Sequence, residues 1–111
     1  MSEKKLSFPK NKIKVLLLEK IDTIAKSIFE KEGYEIETLD TSLNEKKLSK
    51  KIKDISILGI RSKSVITKKV LQSANKLLSI GAYCIGTNQI TLKECQKKGV
   101  IVFNAPYINT R

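Results

Sequence analysis

Five short apolar runs, each separated from the next by a segment of helical character, constrain this chain more than any other feature. Ile13-Lys14-Val15-Leu16-Leu17-Leu18 is nearly continuous in apolar residues, which predicts a strand buried on both faces. Behind it, Ile21, Ile24, Ala25, Ile28 and Phe29 recur at the spacing that lines one stripe of a helix, and Gly33 closes that helix at its C′ position. Tyr34 to Leu39 alternates polar and apolar residues, as a half-exposed strand near a sheet edge does.

A second helix begins near Asn44 in one of two registers. Leu43 and Leu48 would staple a cap at Asn44, whereas Ser42 with Glu45 would form a capping box two residues earlier. Leu48, Ile52 and Ile55 face inward in either case. Ile55 to Ile60 is the third strand, and Thr67 caps a short helix with Ile66 and Leu71 as staple partners. A fourth strand over 77–80 leads into a loop over 81–89. Thr91-Leu92-Lys93-Glu94 then has the form of a capping box, Gly99 ends that helix, and 100–103 is a fifth strand. Strands alternating with helices along the whole length imply right-handed crossovers and an α/β fold with a parallel sheet covered by helices.

With 111 residues the chain suits one domain that can bury a core. No segment approaches the roughly 20 apolar residues of a membrane helix. Residues 1–11 form a short polar arm rather than an apolar signal region, so a soluble, cytoplasmic protein is expected, with no membrane partner. Cys84 and Cys95 make no CxxC pair and are expected as buried, reduced thiols, with no metal site. The net charge of +11 raises the question of nucleic acid. Its lysines, however, are interleaved with Asp and Glu. The densest group, Lys46-Lys47, Lys50-Lys51 and Lys53, lacks the aromatics that stack bases and the Arg and Asn that read them. A solvated lysine face, free to steer a small anion, is the expectation, with no nucleic-acid partner.

The sequence contains no histidine, which excludes Ser-His-Asp and Cys-His catalysis, His-ligated metals and an imidazole base within these residues. A phospho-acceptor receiver is also excluded, because the third strand ends in Ile60-Arg61 where that chemistry needs an aspartate, and only Glu19 and Asp22 follow the first strand. Glu19-Lys20-Ile21-Asp22 holds no glycine, so the first turn is neither a P-loop nor a dinucleotide fingerprint. What remains is the third strand's own ending, Gly59-Ile60-Arg61-Ser62-Lys63-Ser64. Apart from the final residue, Arg61 is the sole arginine of the chain, and its planar fork suits a carboxylate or phosphate. Open parallel sheets bind ligands at the carboxyl ends of their strands, which is where it stands. Asn104-Ala105-Pro106 turns outward after the last strand, and Asn109-Thr110 has the look of an approach to a further helix.

Four segments carry a family resemblance: Lys12-Ile13-Lys14-Val15-Leu16-Leu17, Gly59 to Ser64, Ile80-Gly81-Ala82-Tyr83-Cys84-Ile85-Gly86-Thr87-Asn88-Gln89, and Val102-Phe103-Asn104-Ala105-Pro106-Tyr107-Ile108-Asn109-Thr110-Arg111. In this order they resemble the D-isomer-specific 2-hydroxyacid dehydrogenases, and within them the bacterial enzymes of serine synthesis. The resemblance implies a flavodoxin-like substrate-binding domain, here its N-terminal portion over 12–111, with helices on both faces of the sheet. It implies NAD held by a separate Rossmann domain outside these residues, and a homo-oligomer in the full-length form. The implied reaction is oxidation of 3-phosphoglycerate to 3-phosphohydroxypyruvate. By position, the resemblance implies substrate contacts from Arg61, Ser62 and Asn109, positive charge from Lys63, and N–H donors at Ile85 and Gly86 for the substrate carboxylate. The family's catalytic arginine, glutamate and histidine have no counterpart here, so these residues alone are expected to be inactive. A non-catalytic binding or interaction module is the alternative. Thr91 stands where the family usually has Asp, and Ser64 where it usually has Thr.

Overall fold

The computed structural model describes residues 13–21, 23–83 and 88–104. Five parallel strands, β1 (Lys14–Leu17), β2 (Glu35–Thr38), β3 (Ile57–Ile60), β4 (Ser79–Ala82) and β5 (Ile101–Asn104), form one sheet in the order β2-β1-β3-β4-β5. Between them run α1 (Thr23–Lys31), α2 (Glu45–Lys51) with a 3₁₀ turn over Ile52–Asp54, α3 (Lys68–Ser73) and α4 (Leu92–Lys98). This is the doubly wound order expected of a flavodoxin-like sheet, in which the chain first extends to one side of β1 and then crosses to the other.

The near-continuous apolar strands bury both faces because the two-residue period sends neighbours to opposite sides. Leu16, Leu18, Leu58, Ile60, Ile80 and Ala82 meet Leu48 and Ile52 from α2 and its 3₁₀ turn, Val70 and Leu71 from α3, and Cys95 from α4. Val15, Leu17 and Ile21 pack on the opposite face with Phe29 of α1, Tyr34, Ile36, Ile57 and Tyr83. Two glycines make room on that second face. Leu17, Gly59, Gly81 and Phe103 are successive partners across β1, β3, β4 and β5. A Cβ on Gly59 would lie 2.7 Å from Leu17 Cδ2, and one on Gly81 would lie 2.8 Å from Phe103 Cζ. Large side chains on β1 and β5 thus lean over the bare backbone of β3 and β4 between them.

Local chemistry decides the helix boundaries. Asn44 Oδ1 accepts from Lys47 N–H at 2.8 Å, which selects the later of the two registers open for α2. Thr67 Oγ1 accepts from Val70 N–H at 3.2 Å and caps α3 as expected. Gly99 ends α4 at φ +74°, a conformation that costs a residue with a Cβ more, and the Val100 N–H then reaches Cys95 O at 2.8 Å.

Three details differ from the sequence expectation. The capping box at Thr91 does not form: its hydroxyl donates to Ile66 O at 3.0 Å and makes no cap bond to α4. A parallel bridge between Ile66 and Ile90 brings that carbonyl to Thr91. β4 starts two residues later than its apolar run, because Leu77 packs in the core before pairing begins. β3 likewise starts at Ile57, since the Ile55 N–H is taken by Ile52 O at the end of the 3₁₀ turn. Cys95 is buried as a free thiol, and burial pushes its pKa up; Cys84 lies outside the described residues. No helix among the described residues is long and apolar enough to cross a membrane.

Candidate functional site

The sheet order puts the topological switch between β1 and β3, and the crevice above their carboxyl ends is where folds of this class take ligands. Two segments border it: Leu18-Glu19-Lys20 after β1 and Arg61-Ser62-Lys63-Ser64 after β3. Arg61 is half-buried, and Ser62 and Lys63 are exposed. The structure therefore places the guanidinium residue, the hydroxyl and the ammonium predicted from sequence together at the switch point. Ile85, Gly86 and Asn109 lie outside the described residues.

The loop after β3 is braced from two sides. Gln89 Nε2 donates to Arg61 O at 3.1 Å, and Ile66 N–H donates to Gln89 O at 2.8 Å, tying this loop to the one after β4. From the other side comes Glu19, whose role the sequence reading missed. One of its carboxylate oxygens accepts from Arg61 N–H at 2.8 Å and Ser64 N–H at 3.0 Å; the other accepts from Lys63 N–H at 2.8 Å. Backbone N–H groups of one turn converging on a point make an anion-binding nest, and here the anion is a side chain of the protein itself. Glu19 is only 8% exposed. Burial raises its pKa, but the Ser64 side chain and the three N–H donors together outweigh that and hold the carboxyl below its ordinary value. The buried Ser64 hydroxyl also favours the ionised form, though it falls short of a formed hydrogen bond.

Glu19 reaches the nest because the backbone turns sharply there. Glu19 and Lys20 have φ of +64° and +55°, conformations that cost residues with a Cβ roughly 1–2 kcal/mol each. The turn is secured by Glu19 N–H to Thr41 O at 3.2 Å, Lys20 N–H to Leu39 O at 3.0 Å and Leu18 N–H to Gly59 O at 2.9 Å. The only sequence signal was an acidic residue directly after an apolar strand, which also describes many exposed glutamates.

This arrangement does not fit a dinucleotide. A pyrophosphate needs free N–H groups and a glycine turn after β1. Here that turn presents a buried carboxylate, and three N–H groups across the crevice already serve it. A pocket of about 160 Å³ lies at the opposite, amino-terminal edge of β1 and β2, among Lys14, Glu35, Glu37, Lys51 and Asp54. Its two cations are paired, Lys14 with Asp54 at 2.7 Å and Lys51 with Glu37.

Residues 15–111 match the family model described as "D-isomer specific 2-hydroxyacid dehydrogenase, catalytic domain". The chain belongs to this family. Within the family it is similar to D-3-phosphoglycerate dehydrogenases. Identity is 51% over 105 residues to the enzyme of Dictyostelium discoideum, covering 95% of this chain and 26% of that one. It is 46% over 104 residues to enzyme 1 of Saccharomyces cerevisiae, covering 94% and 22%. To the Escherichia coli enzyme it is 42% over 108 residues, covering 96% and 26%. The eukaryotic relatives thus match at least as well as the bacterial one. The chain spans about a quarter of the length of the curated relatives it matches.

Among solved structures, NAD+-bound 3-phosphoglycerate dehydrogenase of Entamoeba histolytica superposes with a TM-score of 0.73 at 20% identity, covering 83% of this chain and 32% of that one. D-lactate dehydrogenase of E. coli gives 0.72 at 20%, covering 87% and 32%. Both likenesses speak for the fold.

Proposed function

We propose that these residues form the substrate-binding part of an NAD-dependent dehydrogenase that oxidises 3-phosphoglycerate to 3-phosphohydroxypyruvate. The observation that carries this is the Arg61-Ser62-Lys63 loop at the β1/β3 switch point, in a chain 42–51% identical to D-3-phosphoglycerate dehydrogenases. The guanidinium fork of Arg61 takes an anionic end of the substrate, Ser62 donates a hydroxyl, and Lys63 draws the phosphate in by charge. The N–H groups of Ile85 and Gly86 bind the carboxylate, and Asn109 completes the contact, as the family resemblance assigns them. A ligand with two anionic ends is oriented by being held at both, which is what hydride transfer demands of it.

NAD would supply the hydride acceptor. The crevice does not fit it, so its binding falls to residues other than these. With no histidine and no glycine turn, the 111 residues hold substrate and do not turn it over. Titrating 3-phosphoglycerate into the ¹⁵N-labelled chain tests the reading. Saturable shifts at Arg61, Ser62 and Lys63, weaker shifts with D-lactate and none with NAD+ are expected. Equal responses to D-lactate and 3-phosphoglycerate would remove the phosphate from the assignment, and no response to either would remove the site.

A further inference from the structure

A loop that binds anions would ordinarily offer them its backbone N–H groups, yet here Arg61, Lys63 and Ser64 all direct theirs at Glu19. The contact spans 42 to 45 residues of sequence and crosses the switch point. We propose that Glu19 is the positioning residue of the substrate loop: its carboxylate takes up the N–H groups of Arg61, Lys63 and Ser64, fixes the peptide groups around Arg61, and turns the side chains of the loop toward the ligand. This rests on the reading that Arg61, Ser62 and Lys63 form the substrate loop.

Three observations support it. First, the peptide groups on both sides of Arg61 Cα are held, the N–H by Glu19 at 2.8 Å and the carbonyl by Gln89 Nε2 at 3.1 Å. The direction in which Arg61 leaves the backbone is therefore set by two side chains from outside its own loop. Second, Glu19 is aimed by a strained turn at positive φ, itself tied to Thr41, Leu39 and Gly59 by backbone bonds. Backbone strain held in place by surrounding hydrogen bonds clusters at working sites. Third, the carboxylate occupies the position at which this class of sheet meets ligand anions, so a substrate phosphate cannot settle into the nest. Ionised Glu19 behind the loop turns anions outward, toward Arg61 and Lys63. A lowered pKa keeps that charge in place at neutral pH.

Chemical rescue tests the proposal. Glu19→Ala deletes a group the size of acetate and leaves the left-handed turn no more strained than before. Affinity of the variant for 3-phosphoglycerate is expected to fall roughly ten- to a hundredfold, about what one misaligned charge-assisted hydrogen bond contributes. Acetate, added in excess with chloride as the control anion, should restore most of it while moving the Arg61, Lys63 and Ser64 amide resonances back to their wild-type positions. Glu19→Gln keeps the volume but sets an amide NH2 against one N–H donor. It should bind weakly and gain nothing from acetate, because its nest is full.

A Glu19→Ala variant that folds only when acetate is present supports the proposal by the same logic. If it folds under neither condition, Glu19→Gln decides, and wild-type affinity in that variant overturns the proposal. Undiminished affinity of Glu19→Ala with displaced amides would overturn it too, while leaving the substrate assignment standing. Failure of the wild-type chain to bind 3-phosphoglycerate, with acetate still restoring the amides of Glu19→Ala, would instead overturn the substrate assignment and the aiming of the loop that depends on it.

Discussion

Replacing Glu19 with glutamine should cost stability, and the cost should depend on pH. At neutral pH the carboxylate accepts three backbone N–H bonds within 3.0 Å while only 8% exposed. The glutamine carbonyl can still serve Arg61 and Ser64, which share one oxygen, but its NH2 then confronts the Lys63 N–H. Loss of one charge-assisted bond is worth about 2 kcal/mol, and demotion of the other two to neutral bonds about 1 kcal/mol each. Burying an amide instead of a charge returns about 1 kcal/mol. The net is about 3 kcal/mol, a shift in Tm of roughly 12 °C for a domain of this size. The folded carboxyl has a lowered pKa, so its contribution is complete above the unfolded value near 4.3 and disappears as pH falls through the folded value. Below that the wild-type side chain is itself neutral and resembles glutamine. Urea unfolding of both proteins at pH 7 and at stepwise lower pH measures the gap directly. It should be widest at pH 7 and close in acid, with other carboxylates such as Asp54 cancelling in the difference. A gap that is under about 1 kcal/mol at pH 7, or that stays constant into acid, would refute the charge-filled nest.

Arg61→Lys should weaken binding of 3-phosphoglycerate by roughly tenfold or more in the titration of the labelled chain, because an ammonium cannot reproduce a planar bidentate fork; an unchanged affinity would place Arg61 outside the site. Gly59→Ala forces a Cβ to 2.7 Å from Leu17 Cδ2, and Leu17 is 1% exposed with nowhere to move, so urea unfolding should show a loss of about 1–3 kcal/mol. Gly81→Ala should cost less in the same assay, since the Phe103 ring it meets is 42% exposed and can swing outward. Asn44→Ala removes the side-chain acceptor for Lys47 N–H and should cost about 1 kcal/mol by thermal unfolding, whereas Ser42→Ala should cost little.

The fold was legible because its signals are one-dimensional. Continuous apolar runs name the strands, and Asn44, Thr67 and Gly99 mark helix ends through bonds to residues only three or four positions away. Thr91 misled for the complementary reason. Its capping box is written locally, but the Ile66 carbonyl that captures its hydroxyl lies 25 residues earlier and arrives only when the two loops pair. Arg61 could be singled out because its chemistry is rare in this chain and its place at a strand end is general to the architecture. Glu19 could not, since what distinguishes it from any other glutamate is a set of N–H groups more than 40 residues away.

That asymmetry says something about how the site works. Had the loop after β3 kept its N–H groups for the ligand, affinity would be built into the backbone, and any small anion would compete for it. With these N–H groups taken by Glu19 from the turn after β1, the proposed substrate reading hands this loop's share of anion recognition to side chains that differ in reach and geometry: a fork at Arg61, a hydroxyl at Ser62, a charge at Lys63. Side chains can change without disturbing the loop, because Glu19 and Gln89 hold its peptide groups independently of them. The same scaffold could therefore present a different trio to a different hydroxy acid. Exchanging residues 61–63 should alter which substrate is bound while leaving the Glu19-dependent stability intact. A substitution there that abolished the acid-sensitive part of the stability would show that the loop's shape depends on its side chains after all.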